Sequence, residues 1–270
     1  RKSTRDPKAQ YRFKIPLAEP IQFTTKNLPV EPYLLGLMIA NGNYKGGCLS
    51  CHADDLAELS SYVNPIGSSH TYGNASRMYV GKNMYRWLGD VTSREKTIPA
   101  ICLQGDVQQR TLLLRGLMDG DGNIQKNGGC RYSTYSEQLA KDVVSLVQSL
   151  GGIATIGSCN KPTGALEYTV TIRMKINPFR LVRKASKWKP TTKVSRAIVS
   201  LEEFKCDEEG YCIKVASECE SYITEGYTVT HNTTIMGEYL FLYLAVFGQL
   251  DGFGDVPFAL YVSDSVDNGV

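Results

Sequence analysis

Two short stretches of the chain are apolar on every helical face. In the first, Leu34-Leu-Gly-Leu-Met-Ile-Ala40 follows Glu31-Pro32 and gives way to Asn41-Gly42. Pro32 suits the first position of a helix, where its missing N–H leaves no bond unmade, and Asn-Gly is a C-terminal stop. In the second, about 80 positions on, Leu112 to Met118 is apolar except for Arg115 and ends in Asp119-Gly-Asp121-Gly122. A short helix that is apolar all round has to be buried, so the pattern predicts two buried helices. Each is followed by a strand-like stretch and then an amphipathic helix. The first such helix is predicted over Asp54 to Val63. The second is predicted over Ser136 to Leu150, with Leu139, Val143, Leu146, Val147 and Leu150 at helical spacing, and it stops at Gly151-Gly152. Tyr168 to Lys175 alternates as a strand. The chain therefore reads as an internal duplication of an αββα-type unit, with a period too long for a solenoid.

Outside the duplication the texture differs. Residues 1–30 are polar and contain prolines, and read as a linker or peripheral strands. From about Lys193 short β runs follow one another at Ala197–Phe204, Tyr211–Val215, Ser221–Thr224 and Tyr227–Thr230. Residues 234–248 then read as one helix, with Ile235, Tyr239, Leu242 and Val246 among its apolar positions, and Phe258–Val262 as a short buried strand.

Charge divides the chain in the same place. Residues 1–200 carry 28 Lys+Arg against 14 Asp+Glu, whereas residues 201–270 carry 2 against 13. A basic body suits a polyanion such as DNA; a solvated lysine-rich surface is the plainer explanation. No run of about 18 apolar residues exists, so no membrane span is expected, and no apolar signal region follows the start at Arg1. The abrupt start reads as that of a fragment. The chain has 8 cysteines and 3 histidines, and without a signal peptide the thiols are expected to be reduced. Cys48-Leu-Ser-Cys51-His52 has the spacing of a c-type haem attachment. It reads instead as a strand leading into a helix, and so few histidines argue against a Cys/His zinc site.

The tips of the two buried helices hold the first candidate chemistry. Gly36 and Gly116 would let the helices pack closely, bringing positions 41 and 121 together. Adjacent oxygen ligands there would bind a hard divalent cation such as Mg²⁺, which can activate water for phosphodiester hydrolysis. The stretches Leu34-Leu-Gly-Leu-Met-Ile-Ala-Asn-Gly42 and Leu114-Arg-Gly-Leu-Met-Asp-Gly-Asp-Gly122 resemble the two motif copies of the LAGLIDADG (dodecapeptide) homing endonucleases. Lys96-Thr-Ile-Pro99, Arg110 to Gly116, Ser133 to Ala140 and Ser149 to Gly152 are similar to that family as it occurs inside inteins. The resemblance covers roughly residues 31–190. It implies a saddle of β-strands on double-stranded DNA, with Mg²⁺-dependent cleavage of both strands at a long site, the uninterrupted host gene. It also places the metal at Asp121 and position 41, with Ala40 and Gly120 beside them. There Asn41 departs from the pattern, because an amide ligates a metal without bringing charge. Weakened cleavage, nicking of one strand or none is therefore expected, unless Asn41-Gly42 deamidates. Asp119 is a fallback acid that should point elsewhere on its helix. The resemblance further suggests an assisting base, for which Lys161 and Lys184 are candidates.

A second candidate chemistry lies at His231-Asn232-Thr233. An asparagine side-chain nitrogen can attack its own carbonyl carbon, forming a succinimide and breaking the following peptide bond. A preceding His can act as general acid–base, and a following Thr can hold an acyl group as an ester. Tyr211-Cys-Ile-Lys-Val215, Ser221-Tyr-Ile-Thr224 and Tyr227-Thr-Val-Thr-His-Asn232 resemble the C-terminal splicing blocks of inteins, in the all-β Hint fold. Cys212 occupies a place where some inteins carry a nucleophile, though a small buried hydrophobe is the plainer reading. The N-terminal half of such a splicing domain, with its Thr-x-x-His motif, is missing. Splicing would need that half in cis or in trans, and cleavage at Asn232 is the step expected unaided. Thr233 onward resembles a phage terminase large subunit just after its ATP-binding loop, a short α/β piece.

The whole is expected to be α+β, in four parts. Residues 1–30 form a linker, 31–190 the endonuclease, 191–232 the splicing segment and 233–270 a host fragment. The setting expected is the cytoplasm of a bacterial host, from a phage or prophage. The alternative is a decayed DNA-binding remnant without cleavage.

Overall fold

The computed structural model describes residues 14–125, 129–191, 195–198, 215–216, 221–231, 249–250 and 254–255. The chain divides into two units, Pro16–Ala197 and a second made of Arg1–Ile15 with Ile198–Val270. After a short strand β1 (Lys14–Pro16), the first unit runs α1 (Pro32–Asn41), β2 (Gly42–Asn43), β3 (Cys48–His52), α2 (Leu56–Val63), β4 (His70–Tyr72), β5 (Ala75–Tyr79) and α3 (Asn83–Leu88). It continues with α4 (Ala100–Leu103), α5 (Val107–Asp121), β6 (Gly122–Ile124), β7 (Cys130–Thr134), α6 (Glu137–Ser149), β8 (Ile153–Asn160), β9 (Leu166–Arg173), α7 (Val182–Ala185) and β10 (Ser195–Ala197).

The duplication is present and larger than the sequence pattern indicated. One sheet has the order β2-β3-β5-β4 and the other β6-β7-β9-β8, all neighbours antiparallel. Each copy is thus αββαββα, closed by the short α3 or α7, rather than αββα. The strand expected over Tyr168–Lys175 is present as β9; the edge strands beside β5 and β9 lacked a signal because they carry no apolar alternation: β4 is exposed throughout, and Thr155 to Asn160 of β8 are all exposed.

The two copies meet through α1 and α5. A methyl group on Gly36 would lie 2.3 Å from Leu113 O and 2.9 Å from Gly116 Cα; one on Gly116 would lie 2.1 Å from Tyr33 O. The two glycines therefore face each other with backbone against backbone, which any side chain would prevent. Around them Tyr33, Leu35, Leu37, Met38, Ile39, Leu113, Leu114, Leu117 and Met118 are buried in a core that both copies share. Near the predicted boundaries, a 3₁₀ turn at Ala53–Asp55 precedes α2. Asp106 and Gln109 form a reciprocal capping box at the start of α5. Ser136 is the N-cap of α6, accepting from Leu139 N.

Residues 17–31 have no regular structure but are bound in place. Arg110, fully buried, donates to Gly105 O at 2.8 Å, Ser149 O at 2.8 Å and Ile21 O. These bonds, with one more to Ser149 Oγ at 2.6 Å, join this segment to the N-terminus of α5 and the C-terminus of α6, giving a buried guanidinium the partners it requires.

In the second unit, β11 (Ser221–Thr224) pairs antiparallel with β12 (Thr228–His231), Ser221 opposite His231, around a turn in which Gly226 has φ 68°. Two-residue strands β13 (Gln249–Leu250) and β14 (Gly254–Asp255) also pair. Most of the runs expected over Ala197–Phe204 and Tyr211–Val215, the helix over 234–248 and the strand over 258–262 lie outside the described residues. No helix among the described residues is long and apolar enough to cross a membrane.

Candidate functional site

Close packing at Gly36 and Gly116 carries the C-terminal tips of α1 and α5 together. A methyl on Gly120 would lie 2.4 Å from Ala40 Cβ and 3.5 Å from Asn41 Nδ2. Ala40, Asn41, Gly120 and Asp121 are thus neighbours, as the duplication predicts. Both tips end the same way, with Gly42 N–H donating to Met38 O and Gly122 N–H to Met118 O. That bond also engages the nitrogen that would attack Asn41 in a deamidation, so the fold offers no help to that route.

The last carbonyls of a helix have no partners within it, and here a lysine meets each set. Lys96 Nζ donates to Ala40 O at 3.0 Å and Gly42 O at 3.1 Å, and reaches Met38 O at 3.4 Å. Lys184 Nζ donates to Asp119 O at 2.8 Å, Gly122 O at 2.8 Å and Met118 O at 3.0 Å. The two ammonium groups stand in matching places on the two copies, where the negative ends of the helix dipoles favour cations. Burial pushes both lysines down to about 8, with Asp121 pulling Lys96 back up and Asp119 doing so for Lys184. Asp121 is the reciprocal case. Desolvation raises its carboxyl above the usual range, while Lys96 and then Lys184 oppose the rise. One carboxylate therefore sits within the field of two ammonium groups.

A pocket of about 190 Å³ opens beside Asp121, lined by Lys96, Ala40, Ser93, Ser133, Tyr135 and Glu167 among others. Asn41 is half-buried at the tip and does not line it. Asp119 points away: Oδ2 accepts from Tyr33 OH at 2.8 Å and from the amides of Arg180 and Leu181 at 3.0 Å each, and Oδ1 is buried without a hydrogen-bond partner. Lys161 lies at the β8–β9 turn, paired with Glu167 at 2.7 Å. The cations that act on Asp121 are Lys96 and Lys184. Lys96 had no role in the sequence reading beyond its place in Lys96-Thr-Ile-Pro99.

Among the described residues no group of three or more His, Cys, Asp or Glu side chains is placed to hold a metal ion. The tips offer instead one carboxylate, Asp121, one amide, Asn41, and the carbonyls of Ala40 and Gly120. That oxygen set fits a hard divalent cation, for which oxygen ligands are preferred. His231 ends β12; Cys212, Asn232 and Thr233 lie outside the described residues.

Residues 108–186 match the family described as LAGLIDADG-like domain. The match runs from α5 through α7, and so includes Asp121 and Lys184. The chain is similar to the replicative DNA helicase DnaB of Mycobacterium intracellulare, 25% identical over 240 residues, covering 83% of this chain and 38% of that protein. It is also similar to the ATP-dependent DNA helicase Hel308 of Thermococcus kodakarensis, 28% identical over 159 residues, covering 51% of this chain and 14% of that protein. The chain thus spans well under half the length of either relative. Among solved structures, variants of the homing endonuclease I-DmoI align at a TM-score of 0.38 and 17% identity, over 53% of this chain and 84% of theirs. The N-terminal LAGLIDADG domain of DUF199/WhiA aligns at 0.35 and 16%, over 52% and 74%.

Proposed function

We propose that residues 16–197 bind double-stranded DNA and hydrolyse a phosphodiester in one of its strands, with a divalent cation held at the helix tips. The observation that carries this reading is the single carboxylate of Asp121 at the junction of two matched helices, beside an open pocket and between two ammonium groups. In double-strand cleavage two equivalent sites act, one on each strand. Here the copies match in fold, in the lysine and in the helix end, but Asn41 takes the place of the second acid. Mg²⁺, when bound, supplies Lewis-acid stabilisation of the phosphate and of the leaving oxygen. The residues do the rest. Asp121, with Asn41 and the carbonyls of Ala40 and Gly120, holds the cation. Lys96 offsets charge that grows on the phosphate oxygens. Two antiparallel sheets on a strongly basic stretch supply surface for the duplex, since β-ribbons fit the major groove.

The assay is incubation of a supercoiled plasmid bearing the uninterrupted host gene with the full chain and Mg²⁺. Open circles are expected, with linear DNA absent and Asp121→Asn inactive. Failure of the chain to bind the plasmid would remove the DNA reading altogether. Asn41 also favours a second reading, a DNA-binding remnant that no longer cuts; binding with no nick over hours would establish it.

The second unit is read as the C-terminal part of a splicing element. Its support is the β11–β12 hairpin, which leads straight into His231-Asn232-Thr233. In this reading Asn232 Nδ2 attacks the Asn232 carbonyl carbon, and the bond to Thr233 breaks. The departing amine takes a proton, donated in this account by His231. Thr233, and Cys212 if it is nucleophilic, would act only with an N-terminal splicing half present. That this chain resembles parts of two differently named helicases suits an element inserted into host proteins, here one resembling a terminase. Mass spectrometry is expected to show slow release of residues 233–270, absent in Asn232→Ala; release from that variant would refute the mechanism.

A further inference from the structure

Neither lysine at the helix tips stands on a rigid element. Lys96 lies in residues 89–99, which have no regular structure. Lys184 lies in α7, four residues long and far too short to hold itself as a helix. A side chain that must stay within tenths of an ångström of a reacting group needs its support from elsewhere.

Asp119 of its own copy holds the Arg180 and Leu181 amides ahead of Lys184, but both lysine-bearing segments are also held by the other copy. Ser136, on the second copy, donates its hydroxyl to Lys96 O at 2.7 Å, while the same oxygen accepts from Leu139 N at 3.1 Å. Asp142, in α6 and only 7% exposed, accepts Ile98 N–H at 2.8 Å through Oδ2 and Gln138 Nε2 at 2.9 Å through Oδ1. Two bonds thus clamp the backbone on either side of Thr97 to the second copy's amphipathic helix. The first copy does the same for Lys184. Asp55, 4% exposed at the start of α2, forms a two-pronged pair with Arg183, with Nη2 at 2.6 Å from Oδ2. Glu58 accepts Val182 N–H at 3.0 Å. The Arg180 guanidinium lies 3.8 Å from the Tyr62 ring centre and 4.8 Å from that of Tyr33. Asp142 and Asp55 both stand outside the lining of the pocket beside Asp121. A buried carboxylate is expensive unless its bonds are made; Asp55 gives both oxygens to Arg183, and Asp142 gives Oδ2 to the segment that carries Lys96.

We propose that Asp142 and Asp55 are matched positioning residues: each belongs to one copy and fixes the lysine-bearing segment that follows the other. A lysine then reaches its helix tip only when both copies are properly docked. Duplex engagement across both sheets is in this way linked to assembly of the site. The importance of the lysines rests on the DNA-hydrolysis reading; their anchoring does not.

The test uses the full chain and acetylation by N-hydroxysuccinimidyl acetate, read lysine by lysine by peptide mass spectrometry. In Asp142→Ala, Lys96 should be acetylated about tenfold faster, as loss of a buried hydrogen-bonded anchor implies, with Lys184 unchanged. In Asp55→Ala the pattern should reverse. Asp142→Asn, which keeps an acceptor for Ile98 N–H, should protect Lys96 as the unaltered chain does. Ser136→Ala is the milder second variant should Asp142→Ala fail to fold, and should expose Lys96 alone. Acceleration of both lysines in either alanine variant would mean general loosening and overturn the proposal, as would no change in either. In plasmid nicking, Asp142→Ala should lower kcat and leave the DNA dissociation constant unaltered. If the unaltered chain does not nick, the hydrolysis reading fails while the acetylation pattern still decides the anchoring.

Discussion

Asp121 and Asn41 occupy equivalent places on two helices that the chain built twice, and one atom type separates them. The difference was legible in the sequence because both positions precede a glycine stop in a recognisable repeat. Lys96 was not legible, because lysine is ordinarily exposed and nothing in its neighbourhood signals burial; its depth is known only once the tip of α1 is seen to present Ala40 O and Gly42 O to it. Burial of Lys96 and Lys184 has a consequence for stability. Both drop to about 8 from 10.5, with burial as the cause. A group whose pKa is lowered on folding contributes stability that is present above its unfolded value and lost as pH falls through its folded value. Without divalent cation, the two lysines are therefore expected to raise the unfolding midpoint from about pH 8 upward, until the buried thiols of Cys51, Cys102 and Cys130, which burial pushes up to about 11, oppose the rise near their unfolded value of 9. Lys184→Met should flatten part of that rise; an equally steep rise in Lys184→Met would show that the ammonium is not the source.

At the scale of elements, α1 and α5 were predictable because a short helix with no polar face has one fate. Their mutual contact followed from Gly36 and Gly116. The edge strands of the second hairpins were not, because a strand such as β4 has all its residues exposed and obeys no period. The glycine contact makes a sharp comparison possible. Gly36→Ala would put a methyl 2.3 Å from Leu113 O, whereas Gly157 in β8 has nothing within 4 Å of such a methyl. Overpacking a tight contact costs roughly 1–3 kcal/mol, and more when backbone has to move, while an open surface position stays within about 0.5 kcal/mol. Denaturant unfolding should show Gly36→Ala destabilised by at least the lower of those amounts and Gly157→Ala unaltered. Equal stability of the two variants would mean that the helices do not touch at Gly36. Because the tips move with the helices, Gly36→Ala should also slow any hydrolysis at Asp121.

For the molecule as a whole, the charge division at residue 200 falls close to the boundary between the two units at Ile198, although the unit that holds the acidic tail also takes in the basic Arg1–Ile15. The proposal that one strand is cut needed the repeat in three dimensions: two sheets of one topology, two lysines in matching places and one acid. That asymmetry is the central claim, and a duplex labelled with a different dye on each strand tests it most directly. With Mg²⁺, the unaltered chain is expected to cut one labelled strand and leave the other whole. Asp121→Asn should cut neither, and Asn41→Asp should cut both. Cleavage of both strands at equal rates by the unaltered chain, or persistence of cleavage in Asp121→Asn, would contradict it.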